Sequence, residues 1–249
     1  MDEKWSFVEK KQENCHEDNP ADAECGDCWD HVALDAEHRL VLCVVPGKRT
    51  AEHCQELVSE VRRRMGGRVP RLIATDEYPS YPVAIHQVYG KRMVPLVVLP
   101  RPKGRPRVEK KLIPPELNHV VVHKHRQDGR VVKVESRIVY GSQESVAAAL
   151  EQSTASTAVN TSFVERQNAT DRHRNARKAR CTYCFSKDLK MHEAMTYFTM
   201  YSYNFCWPVR TLARKDERGC RQPRTPAMSA GLSDHIWSAR EWVTYPTSQ

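Results

Sequence analysis

The chain has no apolar run approaching the roughly 18 residues that cross a bilayer, and Met1-Asp2-Glu3-Lys4 leads into no apolar core of the kind a signal peptide carries. Neither a membrane span nor a secretory leader is therefore expected. The 10 glycines never fall into G-x-G-x-x-G, so the dinucleotide fingerprint is missing. Gly47-Lys48-Arg49-Thr50 lacks the upstream glycine and the Lys-Ser/Thr step of a phosphate-binding loop. No segment repeats. The nine cysteines are an odd number in a chain without a secretory signal, so most are expected to be reduced thiols in a cytosol. The Asn-x-Ser/Thr matches at Asn160 and Asn168 carry no meaning in that compartment.

What is present is a chain of 249 residues, 40% hydrophobic, long enough for one elaborated domain or two small ones. Its 15 prolines and 10 glycines argue for long connections rather than a helical bundle. The net charge of +8 favours a polyanionic partner, nucleic acid before membrane.

Residues 2–9 read as a short strand, carried by Trp5, Phe7 and Val8. Residues 10–28 are polar and turn-rich, as in a loop. The apolar runs 31–34 and 40–45 flank a polar tip, a hairpin signal. Thr50 can cap a helix through about Met65, with Cys54, Leu57, Val58 and Val61 at helical spacing. Residues 71–76 read as a buried strand ending in Asp76. Strand, hairpin, helix and strand in that order predict an α/β sandwich with helices against a mixed sheet. Residues 91–117 are Pro- and Lys/Arg-rich, an exposed arm. Residues 119–125 and 131–139 predict a second, basic hairpin around Gln127-Asp128-Gly129. Helices are expected at 143–153, 161–180 and 187–205, with a short one around 234–243.

Glu165 opens a segment, Asn160 to Arg180, that is otherwise dominated by basic side chains. Its helical neighbours at three and four residues are Thr161, Ser162, Asn168 and Ala169, none of them charged. A helical projection puts Arg166, His173, Arg177 and Arg180 in one stripe, and Ala169, Ala176 and Ala179 in another. Glu165 lies on the alanine side, expected to press on the sheet. Taken singly, Glu165 also suits a solvated helix position, Asp76 a turn or helix cap, and Asp2 a frayed terminus. Asp76, however, stands at the carboxyl end of a strand, where α/β sheets place ligands.

The stretches MDEKWSFV, IATDEYPSY, NTSFVERQNATDRHRNARKAR, CFSK, YNFCW and TPAMSAGLSDHIWS together resemble the DDE transposases of bacterial insertion sequences, of the type named after insertion sequence one. The resemblance runs from residue 2 to about 240, and the glutamate-arginine block is its most specific part. It implies a ribonuclease H-like fold over residues 1–206, with the basic hairpin and arm inserted at about 91–142 and a Pro/Arg-rich tail at 207–249. It implies Asp2, Asp76 and Glu165 as the catalytic carboxylates. These would hold two Mg²⁺ (or Mn²⁺) ions about 4 Å apart for DNA strand cleavage and strand transfer. Arg166, Arg172, Arg177, Lys178, Arg180 and Lys187 would contact DNA phosphates. The implied partners are DNA ends and target, further copies of the chain on DNA, and a separate recognition chain. Relatives carry an upstream DNA-recognition region, whereas Asp2 here stands at the start. The implied location is the cytoplasm, on the nucleoid. A nuclease without strand transfer and a DNA-binding remnant without catalysis remain as alternatives.

Cys15, His16, Cys25 and Cys28 have spacing that could suit zinc; reduced thiols in a loop are the preferred reading. Cys181 and Cys184 lack a second ligand pair and are expected in the core.

Overall fold

The computed structural model describes residues 1–16, 18–92 and 111–246. Most of the arm expected at 91–117 lies outside these residues. In chain order the strands and helices are β1 (Asp2–Val8), β2 (Gly26–Asp35), β3 (Leu40–Gly47), α1 (Ala51–Arg64), β4 (Leu72–Thr75) and α2 (Ser80–Tyr89). There follow β5 (Lys91–Arg92), β6 (Lys111–Leu112), β7 (Asn118–Gln127), β8 (Arg130–Tyr140), α3 (Gln143–Glu151) and α4 (Ser162–Arg174). The chain closes with α5 (Leu189–Cys206), β9 (Arg214–Lys215), β10 (Arg221–Gln222), α6 (Pro226–Ser229) and α7 (Ala239–Thr244). The class is mixed α/β, as expected.

The chain divides into two compact units. One joins residues 1–49 to 161–249; the other is residues 50–160. Each has its own three-stranded sheet.

In the first unit β1, β2 and β3 form an antiparallel meander. Leu40 to Val45 feed its core, where Val32, Val41 and Val44 meet Val164 of α4 and Met200 and Tyr203 of α5. The side-chain amide of Asn204 clasps β3: Val41 N–H donates to Asn204 Oδ1 and Asn204 Nδ2 donates to the Val41 carbonyl, each at 2.9 Å. Residues 207–246 belong to this unit. Trp237 and Trp242 pack on Phe205 of α5 with ring centroids 4.8 and 5.5 Å away.

In the second unit β4 pairs parallel with β7, and β7 pairs antiparallel with β8, which makes a mixed sheet. Only the crossover through α2 allows the parallel pairing. Thr50 caps α1 as expected, accepting from His53 N–H at 3.4 Å, and Cys54, Leu57, Val58 and Val61 are its buried face. Asp128 and Gly129 both have positive φ, 50° and 75°. A two-residue hairpin turn that matches strand twist requires this pair of left-handed residues, which explains the Asp-Gly step. Beyond the short β4, which stops at Thr75, β7 and β8 continue as a two-stranded ribbon carrying Lys124, Arg126, Arg130 and Lys133.

Three expectations are corrected. Helix 161–180 is α4 ending at Arg174, followed by a 3₁₀ turn, Ala176–Lys178. Residues 10–28 are not all loop, since β2 begins at Gly26. Cys181 and Cys184 are exposed rather than in the core, because they sit in the irregular connection between that turn and α5.

Candidate functional site

Along β1 the residues Asp2, Lys4, Ser6 and Val8 share one face, because strand side chains alternate. Three of these four are polar, yet Lys4 and Ser6 are 2% and 5% exposed. The cover over that face is α4. Its buried residues are Val164, Gln167, Asn168 and Asp171, a helical stripe at three- and four-residue spacing. The expected alanine contact is overturned. Ala169 and Ala176 are exposed, since the surface α4 must meet carries a carboxylate and an ammonium and calls for polar partners rather than small apolar ones.

The pairings run in order along the strand. Asn168 Nδ2 donates to Asp2 Oδ2 at 2.8 Å. One turn later Asp171 takes the Lys4 ammonium and accepts from the Thr199 hydroxyl at 2.7 Å. Asp30, which lies opposite Lys4 on β2, is 3.1 Å from Lys4 Nζ and also binds Lys178 Nζ. Lys178 further donates to the Thr196 hydroxyl. Two aspartates and two lysines thus neutralise one another inside the unit. Burial by itself would raise the Asp30 carboxyl, but Lys178 and Lys4 outweigh it and hold it well below the usual carboxylate range.

This network removes Lys178 from the expected phosphate-binding set. Its side chain is completely buried and bonded to Asp30, so no face is left for DNA. Arg166, Arg180 and Lys187 are exposed, while Arg172 and Arg177 are half-buried. Arg172 reaches the Lys178 carbonyl at 3.4 Å. The Lys187 ammonium lies 3.1 Å from the centre of the Phe185 ring. Ser186 between them is anchored twice, by Glu9 N–H donating to its carbonyl at 2.7 Å and by a hydroxyl–His192 Nδ1 contact of 2.8 Å.

The three expected catalytic carboxylates fall as follows. Asp2 is no frayed end: it pairs with Val32 in the sheet and is held by Asn168. Glu165 stands in the first turn of α4 and accepts from the Thr161 hydroxyl. It precedes Asn168 by three residues, so the two are surface neighbours on the helix. Asp2 and Glu165 thus stand on two elements of the first unit that Asn168 joins. Asp76 belongs to the second unit, directly after β4. Its Oδ1 accepts from Tyr78 N–H at 3.3 Å, a turn-forming bond, and α2 has no side-chain cap.

Sequence reading missed Lys4, Asp30, Asn168, Asp171 and His192. The signal was there in polar residues alternating along β1, but it contradicts the rule that a covered strand face is apolar.

Among the described residues the donor atoms of Cys28, Asp30 and His192 all lie within 4.8 Å of one another. They do not suit a cation. Asp30 is already taken by two ammonium groups. His192 engages Ser186 on one nitrogen and Ser6, at 3.3 Å, on the other. Burial pushes the Cys28 thiol up to about 12, which keeps it protonated. The loop zinc reading loses Cys28 by the same token. Cys15 and Cys25 instead donate to the carbonyls of Lys11 and Ala21 at 3.5 and 3.4 Å.

Burial lowers His192 to about 4, and His119 of the second unit likewise to about 4. Unfolded histidine titrates near 6.5. Both groups are neutral in the native state above that value, and their stabilising preference is fully present there. As pH falls from about 6.5 to 4 the unfolded chain takes up protons that the native chain refuses, and stability drops by on the order of 3 kcal/mol per histidine. Asp30 does not titrate in this window. Urea midpoints measured from pH 7 to pH 4 are expected to fall accordingly and to fall less in His192→Asn. A parent midpoint that stays flat across the window contradicts the assignment.

No protein-family model matches the chain, and no curated protein or solved structure matches it either.

Proposed function

We propose that this chain is the catalytic part of a DDE-type transposase with a ribonuclease H-like fold, carrying out metal-dependent DNA strand cleavage and strand transfer. One observation carries most weight. Asn168, three residues after Glu165 on α4, donates to Asp2 at 2.8 Å, so the helix that carries Glu165 is bonded to the strand that carries Asp2. The chain order of β1, β2, β3, α1 and β4 supports the fold reading, although β4 pairs with β7 rather than with the sheet of β1, β2 and β3.

The donor set fits the ions this chemistry uses. Carboxylate oxygens are hard ligands, and Mg²⁺ takes only a few from protein. Bound divalent ions would activate the attacking oxygen and stabilise the leaving one. The resemblance implies Asp2, Asp76 and Glu165 as the carboxylates that would hold them. Asn168 orients Asp2, and the Thr161 hydroxyl orients Glu165. Arg166, Arg172, Arg177, Arg180 and Lys187 would hold the DNA backbone in register. The partners are then DNA ends and target, with further copies of the chain and a separate recognition chain assembled on the DNA.

The test is incubation of the purified chain with supercoiled plasmid and Mg²⁺ or Mn²⁺, together with a pre-cut DNA end bearing a 3′-OH. Nicking together with joined products supports transposition. Nicking without joining reduces the protein to a nuclease, and binding without nicking to a DNA-bound remnant; either outcome ends the proposal as stated. Asn168→Ala is expected to raise the Mn²⁺ concentration for half-maximal nicking by about tenfold or more, as loss of a ligand-orienting group does. DNA affinity should stay put. An unchanged Mn²⁺ dependence would remove Asn168 from the site.

A further inference from the structure

We propose that His123, His125, Glu77 and Glu135 form a second cation site, one for a borderline divalent transition ion such as Zn²⁺, Ni²⁺ or Co²⁺. All four residues lie in the unit of residues 50–160, and the inference does not depend on the transposase reading.

The sheet register brings them together. His123 and His125 share a face of β7, two residues apart. Their ring centroids are 4.1 Å apart, with the rings nearly perpendicular at 76°. On one side Glu135 of β8 is the direct cross-strand partner of His123, and its Oε2 lies 3.1 Å from His125 Nε2. On the other side β4 runs parallel to β7 with Thr75 opposite Val121. Two residues further along each chain, Glu77 meets His123, and its carboxylate engages His123 Nδ1. Three neighbouring segments thus deliver two imidazoles and two carboxylates to one patch, as two histidine–glutamate pairs that would have to draw together to share one ion.

A set of two nitrogens and two oxygens is a borderline donor set. It suits zinc, nickel or cobalt better than magnesium or calcium, which prefer oxygen alone. The four side chains are 40–52% exposed, so an ion can enter and the side chains can adjust around it. His125 Nε2 is itself shielded from solvent and faces Glu135 without an aligned hydrogen bond. The ammonium of Lys133 competes for Glu135. Its side chain is 67% exposed on a flexible stem, so an arriving ion can displace it. Exposed histidine–carboxylate pairs are a weak stabilising device and do not by themselves explain why both pairs crowd into one patch. An ion here would pin the segment after β4, which includes Asp76, to the base of the β7–β8 ribbon.

The test is a titration of the full chain, stripped with chelator, with Co²⁺ alone, followed by absorbance. One equivalent is expected to bind and give visible ligand-field bands without the near-ultraviolet charge-transfer band of a cobalt thiolate. His123→Gln and Glu135→Gln should each weaken binding at least about tenfold, with circular dichroism unchanged. His125→Cys supplies a gain of signal: it should retain the ion and add the thiolate band. The Cys15→Ser/Cys25→Ser variant should titrate like the parent. The proposal is overturned if the parent binds no Co²⁺, if its spectrum already shows thiolate coordination, or if His125→Cys binds without the new band.

Discussion

Glu165→Gln should abolish cleavage while leaving DNA binding intact. Nicking of supercoiled plasmid in Mg²⁺ is expected to fall at least about a hundredfold, since the amide removes the negative charge that holds a catalytic ion. Affinity for DNA should stay within about twofold, because the arginines that carry phosphate contacts are untouched. The fold has little reason to respond. Glutamine is the same size, and its carbonyl can still accept from the Thr161 hydroxyl as Glu165 does. Glu165 makes its backbone bond to Thr161 at 3.1 Å regardless of side chain. Gel shift and nicking assays on the same preparation separate the two quantities. Normal nicking by the variant would mean that Glu165 is only a helix-surface residue and that the catalytic reading fails with it.

Lys178→Met should act on stability instead. The lysine and its partner Asp30 have no exposed side-chain surface, and Lys4, the second partner of Asp30, is 1% exposed. Deleting one ammonium leaves two buried aspartates facing a single lysine. Breaking a buried pair from one side typically costs about 3–5 kcal/mol, because the remaining charge stays buried without its counter-ion. Lys178→Met/Asp30→Asn removes both charges and should recover a large part of the loss. Urea unfolding of the two single variants and the double variant gives the coupling directly. A phosphate-contacting lysine would behave in the opposite way, with weaker DNA binding and an unchanged urea midpoint. A loss below about 1 kcal/mol in the single variant would return Lys178 to the surface set.

Much of the fold could be read from residue patterns. The Leu40–Val45 run gave β3, the Thr50 cap and the four-residue apolar stripe gave α1, and Asp128-Gly129 gave the turn between β7 and β8. These signals are local and rest on apolar periodicity or on backbone conformation. The face of α4 could not be read that way. Its inward residues after Val164 are Gln167, Asn168 and Asp171, which a hydrophobic projection scores as solvent-facing. Of the alanines that the projection favoured, Ala169 and Ala176 are exposed and Ala179 is half-buried. Lys178 was misjudged for the same reason: in a sequence, a buried lysine looks like any other until its two aspartates are found. Of the candidate site, Asp2 and Glu165 fall on elements that Asn168 joins, and Asn168 itself carried no signal of its own in the sequence. The pairing of strands into two sheets likewise depends on partners far apart in the chain, which no local pattern encodes.

Asn204 shows how α5 serves the sheet beyond covering it. β3 is an outer strand, and outer strands offer idle amide and carbonyl groups to any extended peptide that drifts alongside. The carboxamide on α5 occupies both groups of Val41. A stray strand zipping along this margin would meet a helix side chain already seated in its place, so the molecule carries its own safeguard against growing into a filament from that side.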